Sequence, residues 1–410
     1  MRSANRSTTA RAIVVMAIAM GAFASAATAF GQTGAPAGRF VLGPLQWTPT
    51  LQLRDAGVDS NVFNTPDNAK QDVSATFTPR VDSTLALGIL QAATQASAEY
   101  IYFERYTNER ALNGRVASRM AFPLSRIRPT ATVSWARIKD QASNELDVRV
   151  PHTDRGYGAG VTTKLTSRLD VTLELNRQSI AYDLGKTFRG VDVAAQLNRK
   201  GTTAVLGIQA AISPLTVFIV DGGAGRDEFE LDSSRDTDNV RGSVGLVFAP
   251  DAIISGHASI GYHTMHAQHP SVLPSGGLEF SGVTSNVDLS YTLLGRTRFN
   301  PRLSRDTTYS VSATQPYYVS TAGGLEIYQA LVGPLDLVVR GHREKLAYPE
   351  SALEAARTDF ADTYGGGLSF RVSAQGRIGL NYDDTKRRSS AGSMFSYARR
   401  HIYTSVTYGF

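Results

Sequence analysis

The sequence predicts an all-β fold: a transmembrane outer-membrane β-barrel of about eighteen antiparallel strands, with sixteen as the alternative count. Three observations predict it. Apolar and polar residues alternate through long segments, the links between those segments are unequal in length, and the chain ends on an aromatic residue.

The alternation has a period of two. Leu169, Val171, Leu173 and Leu175 are interleaved with Asp170, Thr172, Glu174 and Asn176. Val287, Leu289, Tyr291 and Leu293 alternate with Asn286, Asp288, Ser290 and Thr292, and Ile378, Leu380 and Tyr382 with Arg377, Gly379, Asn381 and Asp383. Successive side chains on a strand point to opposite faces, so one face is oily and the other wet. A soluble sandwich shows the same pattern, but many of the segments here run twelve to sixteen residues. Strands of soluble sheets average about five or six. A tilted strand crossing a bilayer needs about 9–11.

Short links, such as Thr166-Ser167, Ser213-Pro214 and Gly333-Pro334, alternate with longer polar ones, such as Ser60 to Lys70, Asp140 to Pro151 and Asp183 to Lys200. Short periplasmic turns and long outer loops are the habit of bacterial barrels. Near the end of the chain, Ile402, Val406, Tyr408 and Phe410 share one strand face. Tyr408 and the terminal Phe410 resemble the signal read by the barrel-assembly machinery, which is therefore an expected partner.

Strands running outward are expected to begin near Trp47, Ala93, Arg126, Arg168, Leu215, Ala252, Arg296, Leu335 and Gln375. Those returning begin near Gln71, Glu109, His152, Thr202, Thr237, Leu278, Tyr317, Asp359 and Ser396. Phe188 to Arg199 is assigned to an outer loop with a short helix, because a strand there would invert every later turn.

The start of the chain reads as a secretory signal over residues 1–29. Arg2, Arg6 and Arg11 precede an uncharged run from Ala12 to Ala24, and Ala27-Thr28-Ala29 offers small residues for cleavage after Ala29, with Gly31 as the alternative. Residues 30–45 are expected to be a short periplasmic lead and residues 46–410 the barrel. The signal carries three arginines and no acid, so the remainder keeps only +3 of the chain's +6. That weak charge removes the case for a nucleic-acid partner. No cysteine is present, which excludes thiolate zinc sites and disulfide scaffolds. After the signal no apolar run reaches the roughly 18–20 residues of a membrane helix.

Charged residues fall on strand positions expected to face inward: Arg54, Glu99, Arg115, Arg119, Asp170, Glu174, Asp288, Arg340, Arg371, Arg377 and Asp383. A charge facing lipid at mid-depth costs about 2–4 kcal/mol, so the lumen is their expected place. There they either tune passage or form a packed ion-pair network. Tyr100, Tyr102, Tyr106, Tyr262, Tyr291, Tyr382, Tyr397, Tyr408 and Phe410 sit near strand ends and suit interfacial girdles, with sugar stacking inside a pore as the alternative. His263, His266 and His269 are spaced by three, but they run from a strand into a loop and lack a nearby carboxylate, so no metal site is expected. No G-x-S-x-G elbow or comparable local signature occurs; neither enzyme activity nor a cofactor is expected.

Several segments resemble the putative beta-barrel porin-2 family. They are Asp59-Ser60-Asn61-Val62-Phe63, Leu197-Asn198-Arg199, Pro214-Leu215-Thr216, Leu294-Gly295-Arg296-Thr297, Ser304-Arg305-Asp306 and Pro316-Tyr317-Tyr318, in this order. The resemblance implies an outer-membrane pore for secretion of exopolysaccharide or capsular polysaccharide. It also implies periplasmic polysaccharide-export proteins and the polymer as partners, beside outer-membrane lipid and lipopolysaccharide. The alternatives are a general or sugar-selective diffusion porin, with the link Asp183 to Lys200 folded inward as a constriction, and a non-conducting adhesin or structural barrel.

Overall fold

The computed structural model describes residues 40–141, 143–269 and 278–409. The expected signal over 1–29, the first part of the lead and Phe410 lie outside the described residues.

Eighteen strands make the wall. They are β1 (Leu45–Asp59), β2 (Asp72–Leu87), β3 (Leu90–Phe103), β4 (Ala111–Ala121), β5 (Ile127–Asp140) and β6 (Val150–Lys164). β7 (Leu169–Tyr182), β8 (Arg199–Ser213), β9 (Thr216–Phe229), β10 (Thr237–Phe248), β11 (Ile254–Ala267) and β12 (Phe280–Leu293) follow. β13 (Thr297–Tyr309), β14 (Tyr317–Ala330), β15 (Leu335–Tyr348), β16 (Arg357–Arg371), β17 (Gly376–Ser389) and β18 (Tyr397–Gly409) complete them. Each pairs antiparallel with its neighbour in sequence, and β18 returns to β1 with Thr50 opposite Gly409 and Asp59 opposite His401. The cylinder is closed and leaves no unpaired edge, as backbone in lipid requires. A short strand, Phe40–Leu42, folds back onto Leu45–Trp47 at the start of β1.

Strand lengths run from eleven to sixteen residues. All eighteen strands begin within three residues of the positions expected from alternation. Leu173, Leu175, Leu206, Ile260, Leu380 and Ile402 are exposed on the outer face, where lipid covers them. Tyr100, Tyr262, Tyr382 and Tyr408 are exposed on that face as well, whereas Tyr397 is buried among inward residues.

The seam between first and last strands carries one irregularity. Asp55 has φ 55, and the pairing with β18 shifts between Leu53 and Ala56. This bulge inserts one residue, so Leu51 and Leu53 before it and Val58 after it all face outward. Gly57 is required there: a Cβ would lie 1.9 Å from the carbonyl oxygen of Ile402.

The two ends of the barrel differ. One carries short turns, such as Gly88-Ile89 between β2 and β3, where Gly88 takes φ 57. The other carries the long links, including 60–71, 141–149, 183–198 and 349–356. These are the periplasmic and extracellular ends respectively.

Candidate functional site

The eleven charged residues singled out from the sequence lie on strand positions opposite the exposed apolar rows. Ten of them join ion pairs within the wall. Arg54 meets Glu99 at 2.6 Å, and Arg119 meets Glu174 at 3.9 Å. Arg115 lies 4.0 Å from Asp140, and Asp288 lies 3.4 Å from Arg302. Arg371 and Arg377 converge on Asp336. Asp170 sits opposite Lys164 across the β6–β7 ladder.

Arg340 shows how glycine makes room for such pairs. From β15 it reaches over β16 to Asp383 on β17 at 2.7 Å and donates to the Tyr403 hydroxyl on β18 at 2.7 Å. Gly365 lies beneath, and a Cβ there would fall 1.9 Å from the Asp383 carboxylate.

The histidine run does not converge. His263 is buried and inward, hydrogen-bonded with Asn239 and Thr307, while His266 is exposed and pairs with Glu279. A three-residue step on a strand sends the two imidazoles to opposite faces.

The lumen is shaped by two links from the extracellular end. The first lies between β5 and β6. Its Glu145 accepts hydrogen bonds from the Ser310 hydroxyl at 2.5 Å and the Val311 amide at 3.1 Å. Asn144 donates to Glu344, and Asp147 meets Arg387 at 3.4 Å. On a ring of eighteen strands the opposite wall is nine strands away, and the β13–β14 link is eight removed from the β5–β6 link. The segment therefore crosses the lumen.

The second link, between β7 and β8, does the same. Residues Thr187–Phe188 pair with Val191–Asp192, and helix α1 (Val193–Leu197) follows. Asp192 caps it by accepting from the Ala194 and Ala195 amides. Arg189 at the hairpin tip donates to the Met394 carbonyl at 3.0 Å and stacks over Phe395 at 3.9 Å, on the β17–β18 link. Asp147 of the first link lies 3.6 Å from Arg189, so the two segments also hold each other.

Between them lies an apolar core. Leu146, Phe188, Val193, Ala194 and Leu197 pack with Val150, Tyr182 and Val311. Burying one such large aliphatic side chain contributes about 1.5–3 kcal/mol, which opposes release of the segment into water. Arg235, on the β9–β10 link, is 2% exposed and fastens the assembly from the side. It donates to the Ser310 and Pro316 carbonyls, both at 2.7 Å, and to Gln196.

Burial shifts the titrating groups of this constriction. The Glu145 carboxyl is raised by loss of water, partly offset by Ser310 and Val311. Asp147 is pushed up to about 6 by burial, against the pull of Arg387 and Arg189. Arg235 falls to about 10 for the same desolvating reason.

The expected inward link is Asp183 to Lys200; the crossing by residues 143–149 departs from that expectation. The signal available is Leu146 and Val148, alternating apolar residues in an otherwise polar stretch, continued by Val150 at the start of β6. Arg235 had no signal, since it lies in a polar link like any other.

Comparison with known proteins agrees with this architecture. A BenF-like porin from Pseudomonas fluorescens Pf-5 superposes with TM-score 0.50 and 13% identity, over 90% of this chain and 99% of that one. OccK2 (OpdF) of Pseudomonas aeruginosa gives TM-score 0.50 and 12% identity, over 89% and 97%. At such identity the likeness speaks for the fold alone. No curated protein matches the sequence. The family model described as "Putative beta-barrel porin 2" matches residues 28–410. The chain is an outer-membrane β-barrel porin and belongs to that family.

Proposed function

We propose that the barrel is a selective diffusion porin, passing small hydrophilic solutes through an aperture set by the two crossing links, with no catalytic step and no cofactor. One observation carries this reading: residues 143–149 and 183–198 span the lumen, the first held by the buried hydrogen bonds of Glu145 to Ser310 and Val311 and the second by Arg189 on the Met394 carbonyl. Such an aperture admits small solutes and stops chains. The paired charges of the wall give a lining that is polar yet nearly balanced, which suits neutral or mixed-charge solutes.

Secretion of polysaccharide, implied by the family resemblance, has less support. A polymer would need both links to vacate the lumen, at the cost of exposing the apolar core around Leu146 and Val193. Periplasmic export partners are accordingly not part of the proposal. The test is reconstitution into liposomes and planar bilayers. Mono- and disaccharides are expected to permeate, and long dextrans to be retained. Steady passage of a long dextran through the intact protein would overturn the reading.

A further inference from the structure

The outward face of β15 to β18 changes character along its height. Val339, Tyr364, Tyr382 and Ile402 are exposed on it and mark the apolar band. Above them the same face turns basic, with Arg343 and Lys345 on β15, Lys386 and Arg388 on β17, and Arg400 on β18. Only Asp362 and Asp384 accompany these five cations on the same stretch of face. Arg343 is opposite Asp362, Asp362 opposite Lys386, and Asp384 opposite Arg400, so the groups form one band across four strands.

Asp362 is the hub. Its side chain is 8% exposed and takes two hydrogen bonds from Arg343, at 2.5 and 3.2 Å, and one from Arg388 at 2.7 Å. The two arginine side chains stay 56% and 65% exposed. Arg343 also stacks over Phe360 at 5.4 Å. Asp384 lies 3.4 Å from Lys386 and 3.9 Å from Arg400. A buried carboxylate thus holds two guanidinium forks, each of which keeps further N–H donors. Other outward pairs on the rim match one cation to one acid, as in Arg226–Asp238 and Lys200–Glu230.

We propose that this band binds the phosphate groups of lipopolysaccharide in the outer leaflet. The charges face the membrane side of the wall, so they cannot serve a solute in the lumen. Cations are tolerated there because the cost of a charge falls from about 2–4 kcal/mol at mid-depth to about 0–1 near the interface. An anion anchored by acyl chains against the apolar band directly below reaches the forks at the right height, and Arg–phosphate pairs are strong and bidentate. Free phosphate has no such second anchor.

The experiment measures binding of bis-phosphorylated lipid A, its dephosphorylated form and inorganic phosphate to the purified, folded barrel in detergent. The wild type is expected to prefer bis-phosphorylated lipid A. The double variant Arg343→Ala/Arg388→Ala is expected to lose about tenfold in affinity for it. Heat-modifiable gel mobility checks folding. Should that variant misfold through exposure of Asp362, the pair Lys386→Gln/Arg400→Gln replaces it, at side chains 59% and 71% exposed, with a several-fold loss expected. Equal affinity of wild type and folded variants, or of the two lipid A forms, overturns the proposal. Displacement of lipid A by millimolar inorganic phosphate overturns the lipid assignment in favour of a soluble anion.

Discussion

The outer and inner halves of one lumen are built from the same strands, yet they are filled differently. Toward the extracellular end of β16 and β17 the inward Asp359 and Arg387 are 1% exposed in their side chains. Toward the periplasm Arg371 and Arg377, on the same two strands, are 47% and 30% exposed. The strands alternate identically in both halves. The difference comes from links, which dock over Asp359 and Arg387 and leave Arg371 and Arg377 open to water. Strand alternation therefore builds the wall, and long-range docking of links sets the aperture.

The strongest way to break this contrast is to remove a crossing segment. Replacing residues 143–149 by a Gly-Ser linker is expected to raise single-channel conductance several-fold. The folded, heat-modifiable barrel should survive, because every strand pair remains. Unchanged conductance would show that this link does not set the aperture.

Removing the side clamp comes next. Arg235→Ala strips the buried donor from two carbonyls and Gln196. Leaving a buried acceptor unsatisfied costs about 1–3 kcal/mol, here drawn from the constriction rather than the wall. The expected record is noisier current with frequent openings to a larger level; a quiet trace at the wild-type level would contradict the role of Arg235.

A wall variant sharpens the contrast from the other side. Gly365→Ala pushes a methyl into the Asp383 carboxylate and the Arg340 bridge. Overpacking of this kind costs about 1–3 kcal/mol. It should lower the thermal transition while leaving conductance per open channel nearly the same. A large change in conductance with unchanged stability would reverse the assignment of roles.

The smallest effect is set by pH. Asp147 and Glu145 hold protons more tightly when packed than when released, because burial disfavours their charge. The packed state thus gains stability as pH falls through about 6 and loses it as pH rises, with the gain ending near about 4, where the released carboxyl also protonates. Open probability is expected to drop modestly between about pH 7.5 and about pH 5. Asp147→Asn should flatten that slope; a slope of opposite sign in the wild type would refute the argument.

Much of the wall was legible beforehand. Period-two patterning places strand starts because a lipid-facing row admits few polar residues, as at Leu173 and Leu175. The short helix after Phe188 was legible too, since a strand there would break turn polarity. The docking of Glu145 on Ser310 was not, because it joins residues 165 apart and no local pattern encodes that distance. The family-like segments gain physical meaning here. Asp59 pairs with Arg399, Asn61 bonds the Ala398 carbonyl, Asn198 bonds both backbone groups of Tyr182, and Pro316 accepts from Arg235. These motif residues fasten the outer half.

The bulge at Asp55 bears on how the cylinder shuts. A straight β1 could slide against β18 by two residues and still keep oil outside. With one inserted residue, only one alignment satisfies Leu51, Leu53 and Val58 together and seats Gly57 against Ile402. The last join of the chain, between residues some 350 positions apart, is therefore keyed, and a wrongly aligned closure is rejected by its own misplaced side chains.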